Sequence, residues 1–309
     1  MRTRSNIGQV RTNYGGNMTT VRTVDSDVEI AEPEAVDLQE PEDYDVTPPS
    51  GGRRDPEFLE RVMPLLKLAV KGWFRSAVEG IDNVPAVGGA LLVSNHSGGL
   101  LAMDVPVIAV AFAERFGVER PLYTLAHDML FVGPAKYLMD RAGFVKADRK
   151  TAAQVLRSGA VTIVFPGGDY DAYRPTAEAN TIDFAGHTGY VRAALEADVP
   201  LVPVVSIGGQ EVQLFLTRGE GLMERLGMAK LLRSKIAPIT FGLPFGFTLG
   251  VPPNFPLPAK ISTRVLEPID IRAEFGDDPD IAEVDREVRK RMQTALDELA
   301  AARRFPVLG

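Results

Sequence analysis

From Ala90 onward, short runs of β-branched and apolar residues alternate with segments whose apolar side chains recur every three or four positions. The alternation predicts an α/β fold, one mixed and largely parallel sheet flanked by helices. Strands are expected at 90–95, 121–125, 144–147, 160–165, 201–206 and 261–267, and helices at 104–116, 134–142, 150–157, 187–197 and 281–303. Ahead of the sheet, DPEFLERVMPLLKLAVKGWFRS has a helical period. Asp55 suits an N-cap, Pro56 suits the first helical position, and Phe58, Val62, Leu66, Ala69, Val70 and Trp73 recur at helical spacing, so an N-terminal amphipathic helix is predicted. Pro64 lacks the N–H that a helix interior uses and should kink or restart it.

Residues 1–54 show neither period. They are rich in Ser, Thr, Asn, Pro and acids, poor in large apolar side chains, and read as a disordered acidic tail. The charged start is not followed by an apolar run, so no secretory leader is predicted. Residues 55–309 then make one domain, divided into the amphipathic helix at 55–79, an α/β core at 80–270 and a C-terminal helix at 271–309. The longest uncharged stretch, residues 236–259 (IAPITFGLPFGFTLGVPPNFPLPA), has the length to span a bilayer. Its six prolines and three glycines would strand backbone groups in hydrocarbon. An apolar loop is expected there, covering the core or dipping into a membrane surface.

Composition narrows the function classes. The formal net charge of the 309 residues is −7, and residues 1–55 hold eleven acids against six arginines, which leaves the folded part close to neutral. No basic, aromatic-interleaved strand appears, so nucleic acid is not an expected partner. The absence of cysteine removes disulfides, thiolate metal sites and a cysteine nucleophile. The three histidines, His96, His127 and His187, share no ligand spacing, so no metal and no resident cofactor is expected.

His96 raises the question of chemistry. It follows ALLVSN, where a buried strand emerges, the usual place for functional groups in an open α/β sheet. A histidine satisfied by the backbone of a strand-to-helix turn is the plain alternative. Asp104 opens the next helix, either as its cap or as a carboxylate returned to the imidazole. Two more strands deliver groups to the same edge. AGFVKADR brings Lys146, Asp148 and Arg149, and VTIVFPGGDYDAYRP brings Pro166, Gly167 and Gly168, whose glycines let backbone N–H groups face an anion. An α/β-hydrolase triad is opposed, because no Gly-x-Ser-x-Gly exists and every histidine precedes Ser206. His127 and His187 are read as structural.

Taken in order, Asn95-His96 with Asp104, GFVKADR at 143–149, FPGG at 165–168 and VPLVPVVS at 199–206 resemble the motif series of the glycerol-phosphate and lysophospholipid acyltransferase superfamily. The resemblance covers roughly residues 85–270. It implies an acyltransferase-like fold and an enzyme that moves a fatty acyl group from an acyl thioester, acyl-CoA or acyl carrier protein, to a glycerolipid hydroxyl. His96 is then the base and Asp104 its orienter. Asp128 in AHDMLF is the rival orienter, because seven residues separate His96 from Asp104 where the superfamily has four. Asn95, Lys146, Arg149, Pro166, Gly167, Gly168 and Arg174 are the implied substrate-binding residues. The superfamily's phospholipid members carry a glutamate where Gly167 stands, and PGG with GHTGYVRAALEADVPLVPVVSIGG is similar to the diacylglycerol acyltransferase branch.

The acceptor implied first is a lysophospholipid or lysophosphatidate, because Arg149 keeps its place in the motif. A neutral acceptor, diacylglycerol or a long-chain alcohol, is the alternative, and a catalytically inactive, membrane-peripheral lipid-binding protein is the alternative of another class. The enzyme is expected in the cytoplasm, peripheral on the inner face of the cell membrane. Residues 57–76 and 238–258, with Trp73 and Phe245, are the expected contacts with that surface, aided by Arg225, Lys230, Arg233 and Lys235.

Overall fold

The computed structural model describes residues 54–131, 133, 135–219, 236–249, 254–305 and 307–308. The predicted tail up to Arg53 and the four bases between Arg225 and Lys235 lie outside them. Ten strands are described: β1 (Ala77–Glu79), β2 (Ala90–Ser94), β3 (Leu122–Ala126), β4 (Phe144–Lys146), β5 (Val161–Val164), β6 (Leu201–Ile207), β7 (Leu214–Thr217), β8 (Ile239–Gly242), β9 (Gly246–Leu249) and β10 (Ser262–Val265). Seven of them form one sheet in the order β1-β10-β6-β2-β5-β3-β4. β2 to β6 run parallel, β10 lies antiparallel to β6, and β1 runs parallel to β10. The helices named below are α1 (Pro56–Lys67), α2 (Asp104–Phe116), α3 (Ala135–Arg141), α4 (Arg149–Arg157), α5 (Gly168–Ala172) and α6 (Gly189–Ala197).

Every residue of β2 and β6 is buried. Both faces of these central strands are covered, which is why they read as unbroken apolar runs. Leu91 and Val93 cluster with Leu156 of α4, Val191 of α6 and Val288 of the long helix Ile281–Ala302. On the opposite face Leu92, Ile163 and Val202 cluster with Ile108 and Phe112 of α2. Emptying such a position, as in Leu92→Ala, costs about 2–5 kcal/mol.

The N-terminal helix starts where its signals place it but is shorter than the predicted 55–79, because winding ends at Trp73 and Ala77–Glu79 pair into the sheet as β1. Asp55 caps α1 by accepting the Phe58 N–H at 2.9 Å and pairs with Arg141 of α3 at 2.7 Å. α1 runs on through Pro64 without a restart. The winding widens four residues later, in a π-helical segment at Leu68–Trp73 where the Phe74 N–H reaches the Ala69 carbonyl. Arg54, counted with the tail above, donates to the carbonyls of Val118 and Arg120 and belongs to the domain.

The loop expected at 236–259 is corrected. β8 and β9 form a hairpin that joins β7 in a separate three-stranded antiparallel sheet. Pro238 precedes the hairpin and Pro244 sits in its turn, after a cis Leu243–Pro244 bond, so neither removes a donor from the ladder. Among the described residues no helix is long and apolar enough to cross a membrane.

Candidate active site

The parallel strands turn their carboxyl ends to one edge, and strand order decides what meets there. β2 delivers Asn95 and His96, and its neighbour β5 delivers Pro166, Gly167 and Gly168. β3 and β4 come next and carry Asp128 and Lys146. Asp128 is therefore two strand spacings, about 10 Å, from the strand that carries His96. It faces Lys146 at 3.6 Å, and both side chains are exposed.

His96 Nδ1 lies 3.2 Å from Asp104 Oδ2. Asp104 is fully buried, and its carboxylate also accepts the Ser97 N–H at 2.6 Å and the Ser97 hydroxyl at 3.0 Å. Asp104 is the first residue of α2 and not its cap, a place that Met103 occupies. A carboxylate on Nδ1–H leaves Nε2 as the nitrogen with the free lone pair. The long His96–Asp104 interval is taken up by the 3₁₀ turn Gly99–Leu101, entered through Gly98 at φ 94°. The imidazole stacks on Phe165, with centroids 4.3 Å apart, and stays 20% exposed.

The backbone of His96 is held by a second carboxylate, which sequence reasoning missed. Asp171 Oδ2 accepts the His96 N–H at 2.7 Å, while Oδ1 accepts two bonds from Arg174, at 3.2 and 2.8 Å. Burial pushes the Asp171 carboxyl up, and Arg174 and the His96 N–H oppose the rise. Asp171 also explains Gly167. A Cβ at Gly167 would lie 2.5 Å from the Asp171 Cβ, so a side chain there and this clamp exclude each other. Gly209 makes room for Ser97 in the same way, since its Cβ would lie 1.9 Å from Ser97 Oγ.

Several implied substrate-binding residues are engaged by the protein itself. Asn95 is buried and exchanges hydrogen bonds of 2.9 and 2.8 Å with the Ser206 backbone, tying the loop after β2 to β6. Arg174 is buried against Asp171 and the Asp183 carbonyl, so its guanidinium is not presented to a phosphate. In the turn after β5, Pro166 has no N–H and that of Gly168 donates to Phe165 O at 3.0 Å, so the expected row of amides facing an anion is absent from these two residues. Lys146 and Arg149 are exposed, and Arg149 lies 3.6 Å from Glu196 of α6. His187 donates from Nδ1 to the Pro166 carbonyl at 3.0 Å and braces that turn. Among the described residues no three His, Asp or Glu side chains are grouped to hold a metal ion.

A family model described as Acyltransferase matches residues 75–207, the span that contains His96, Asp104 and Asp171. An uncharacterized protein of Mycobacterium tuberculosis is 34% identical over 259 residues, 81% of this chain and 69% of that one. One of Mycobacterium leprae is 33% identical over 259 residues, 81% of this chain and 67% of that one. Diacylglycerol O-acyltransferase 2B of Umbelopsis ramanniana is 25% identical over 176 residues, 55% of this chain and 49% of that one. Among solved structures, the 1-acyl-sn-glycerophosphate acyltransferase of Thermotoga maritima matches with a TM-score of 0.51 and 20% identity, over 80% of this chain and 82% of that one, which is a likeness of fold. The chain belongs to the acyltransferase family.

Proposed function

We propose that the protein transfers a fatty acyl group from an acyl thioester, acyl-CoA or acyl carrier protein, to the free hydroxyl of a glycerolipid, with lysophosphatidate and other lysophospholipids as its acceptors. The observation that carries this reading is the 3.2 Å contact between His96 Nδ1 and the buried Asp104 carboxylate. An alcohol attacks a thioester slowly unless its proton is taken as the C–O bond forms, a service worth about 10²–10⁴-fold. In this reading Nε2 takes the proton and Asp104 stabilises the resulting imidazolium. The tetrahedral intermediate collapses with cleavage of the C–S bond, and Nε2–H returns the proton to the departing thiolate. Ester and free thiol leave, and His96 is neutral again.

Lys146 and Arg149 are the cations offered to the acceptor phosphate. Their pairings with Asp128 and Glu196 are solvent-exposed. Such pairs are worth about 1 kcal/mol or less, which a phosphate can displace. A second reading, a neutral acceptor, is favoured by Gly167, whose side-chain space Asp171 fills, and by the burial of Arg174. A panel of lysophosphatidate, other lysophospholipids, monoacylglycerol, diacylglycerol and long-chain alcohols separates the two. The first reading predicts that lysophosphatidate is used best and that Lys146→Ala with Arg149→Ala raises its KM about tenfold or more. Best use of diacylglycerol, at a KM those substitutions leave unchanged, selects the second.

A further inference from the structure

The antiparallel sheet beside the active site is built inside out. Its register sets Leu214, Phe241 and Phe247 across from one another in one row, and Phe215, Thr240 and Thr248 in the next. Adjacent rows of a sheet point to opposite faces. The wholly apolar row is the outward one, with Phe247 72% exposed, while the row with two threonines is buried. The Thr240 and Thr248 hydroxyls satisfy each other at 2.8 Å, and the Phe241 and Phe247 rings lie 4.9 Å apart on the outside. A sheet that served only the protein's own core would show the reverse.

The apolar face continues beyond the three strands. Leu243 and Phe245 extend it at the hairpin turn, and Phe255 pairs its backbone with Leu243. The Phe255 ring meets Trp73 edge-on at 5.8 Å, and from Trp73 the exposed residues run to Leu68 and Leu65.

We propose that this face seats the enzyme on a lipid bilayer, with its aromatic side chains among the acyl chains. Leu214–Thr217, Ile239–Leu249 and Asn254–Ala259 contain no ionisable side chain. A face that meets another protein has a polar rim and a regular complement of hydrogen bonds, which this one lacks the side chains to make. Along the N-terminal helix, among the described residues, its charged border is basic. Lys67, Lys71 and Arg75 recur every four residues, and the two lysines share the single acid Glu114, while Arg75 donates to the neutral carbonyls of Pro258 and Val307. That arrangement lets apolar stems lie on the stripe while the charges reach anionic headgroups.

The buried row also abuts the catalytic loop. Phe215 closes on Gly99, where a Cβ would lie 3.0 Å from its ring, and stands 6.3 Å from Tyr173 beyond the β5 turn. Seating the sheet on a bilayer holds the His96 loop beneath the membrane surface that carries a lipid acceptor, about one layer spacing or 10 Å from that surface. That link rests on the acyl-transfer reading; the outward apolar row and the basic border do not.

Flotation of the full chain with vesicles of phosphatidylcholine and phosphatidylglycerol tests the proposal without any assay of activity. Wild type should float, and less so at high salt. The double variant Phe245→Ser/Phe247→Ser should keep the melting temperature, since both rings are exposed, and partition about tenfold less or weaker still. Phe247→Leu should stay within about twofold of wild type. Equal flotation of the double variant overturns the proposal, as does a wild type that does not float. A dimer that the same substitutions dissociate, without vesicle binding, would overturn it in favour of a second copy of the chain. Thiol release from a short, water-soluble thioester reads the His96 chemistry separately. Its absence defeats the acyl-transfer reading and leaves the flotation result standing.

Discussion

His96 is held by two carboxylates that act on different parts of it, Asp104 on the ring and Asp171 on the backbone. His96→Ala should lower acyl transfer by about 10²–10⁴, with little change in melting temperature because the ring is partly exposed. Asp104→Asn should lose activity and also about 1–3 kcal/mol of stability, since an NH2 group would replace one of the two oxygens that accept from Ser97. Asp128→Asn, at an exposed site beside Lys146, should change neither. Asp171→Asn leaves the buried Arg174 charge unmatched, so a loss of about 3–5 kcal/mol is expected in chemical denaturation. His96 and Asp104 were legible because a strand end and a motif order point to them. Ser97 and Asp171 were not, because each acts through a tertiary contact. Ser97 reads as one more turn residue, and Asp171 as a charge in a short helix.

The elements carry their own tests. The Phe58 N–H first, and then the Arg141 guanidinium, hold the Asp55 carboxyl below the usual carboxylate range. A carboxyl whose folded-state pKa is lowered stabilises the fold above its unfolded value, about 3.9, and loses that contribution as pH falls through the folded value. The tether between α1 and α3 is thus complete at neutral pH and released in strong acid. Asp55→Ala should lower the melting temperature at neutral pH, with the difference from wild type closing as the pH is brought well under 4. Gly209→Ala should displace Ser97 and lower activity, because the new methyl would stand 1.9 Å from Ser97 Oγ and 2.8 Å from its Cβ.

The cap of α1 and the core helices were legible from their local signals. The hairpin was hidden by its neighbours, because prolines and glycines at 238–258 weigh toward a loop although Thr240-Phe241 and Phe247-Thr248-Leu249 alternate with the period of a strand. The change of winding at Leu68 falls between two breakers, Pro64 and Gly72, but neither residue by itself specifies a π-helical turn.

At the scale of the whole molecule, the central strands were readable because burial on both faces writes itself as unbroken apolar runs, ALLVS and LVPVVSI. Their order was not, because β1 and β10 join the sheet through pairings between residues far apart in the chain. That order sets β2 beside β5 and so gathers His96, Phe165 and Asp171 into one site, with β7 under its loop. The direct test is to follow free thiol and ester product together, with a long-chain acyl-CoA and lysophosphatidate in vesicles, for wild type and for His96→Ala of matched melting temperature. Wild type should release one thiol for each ester formed, and His96→Ala should lower both rates by about 10²–10⁴. Equal rates in the two proteins, or thiol release by wild type with no ester formed, would contradict acyl transfer by His96.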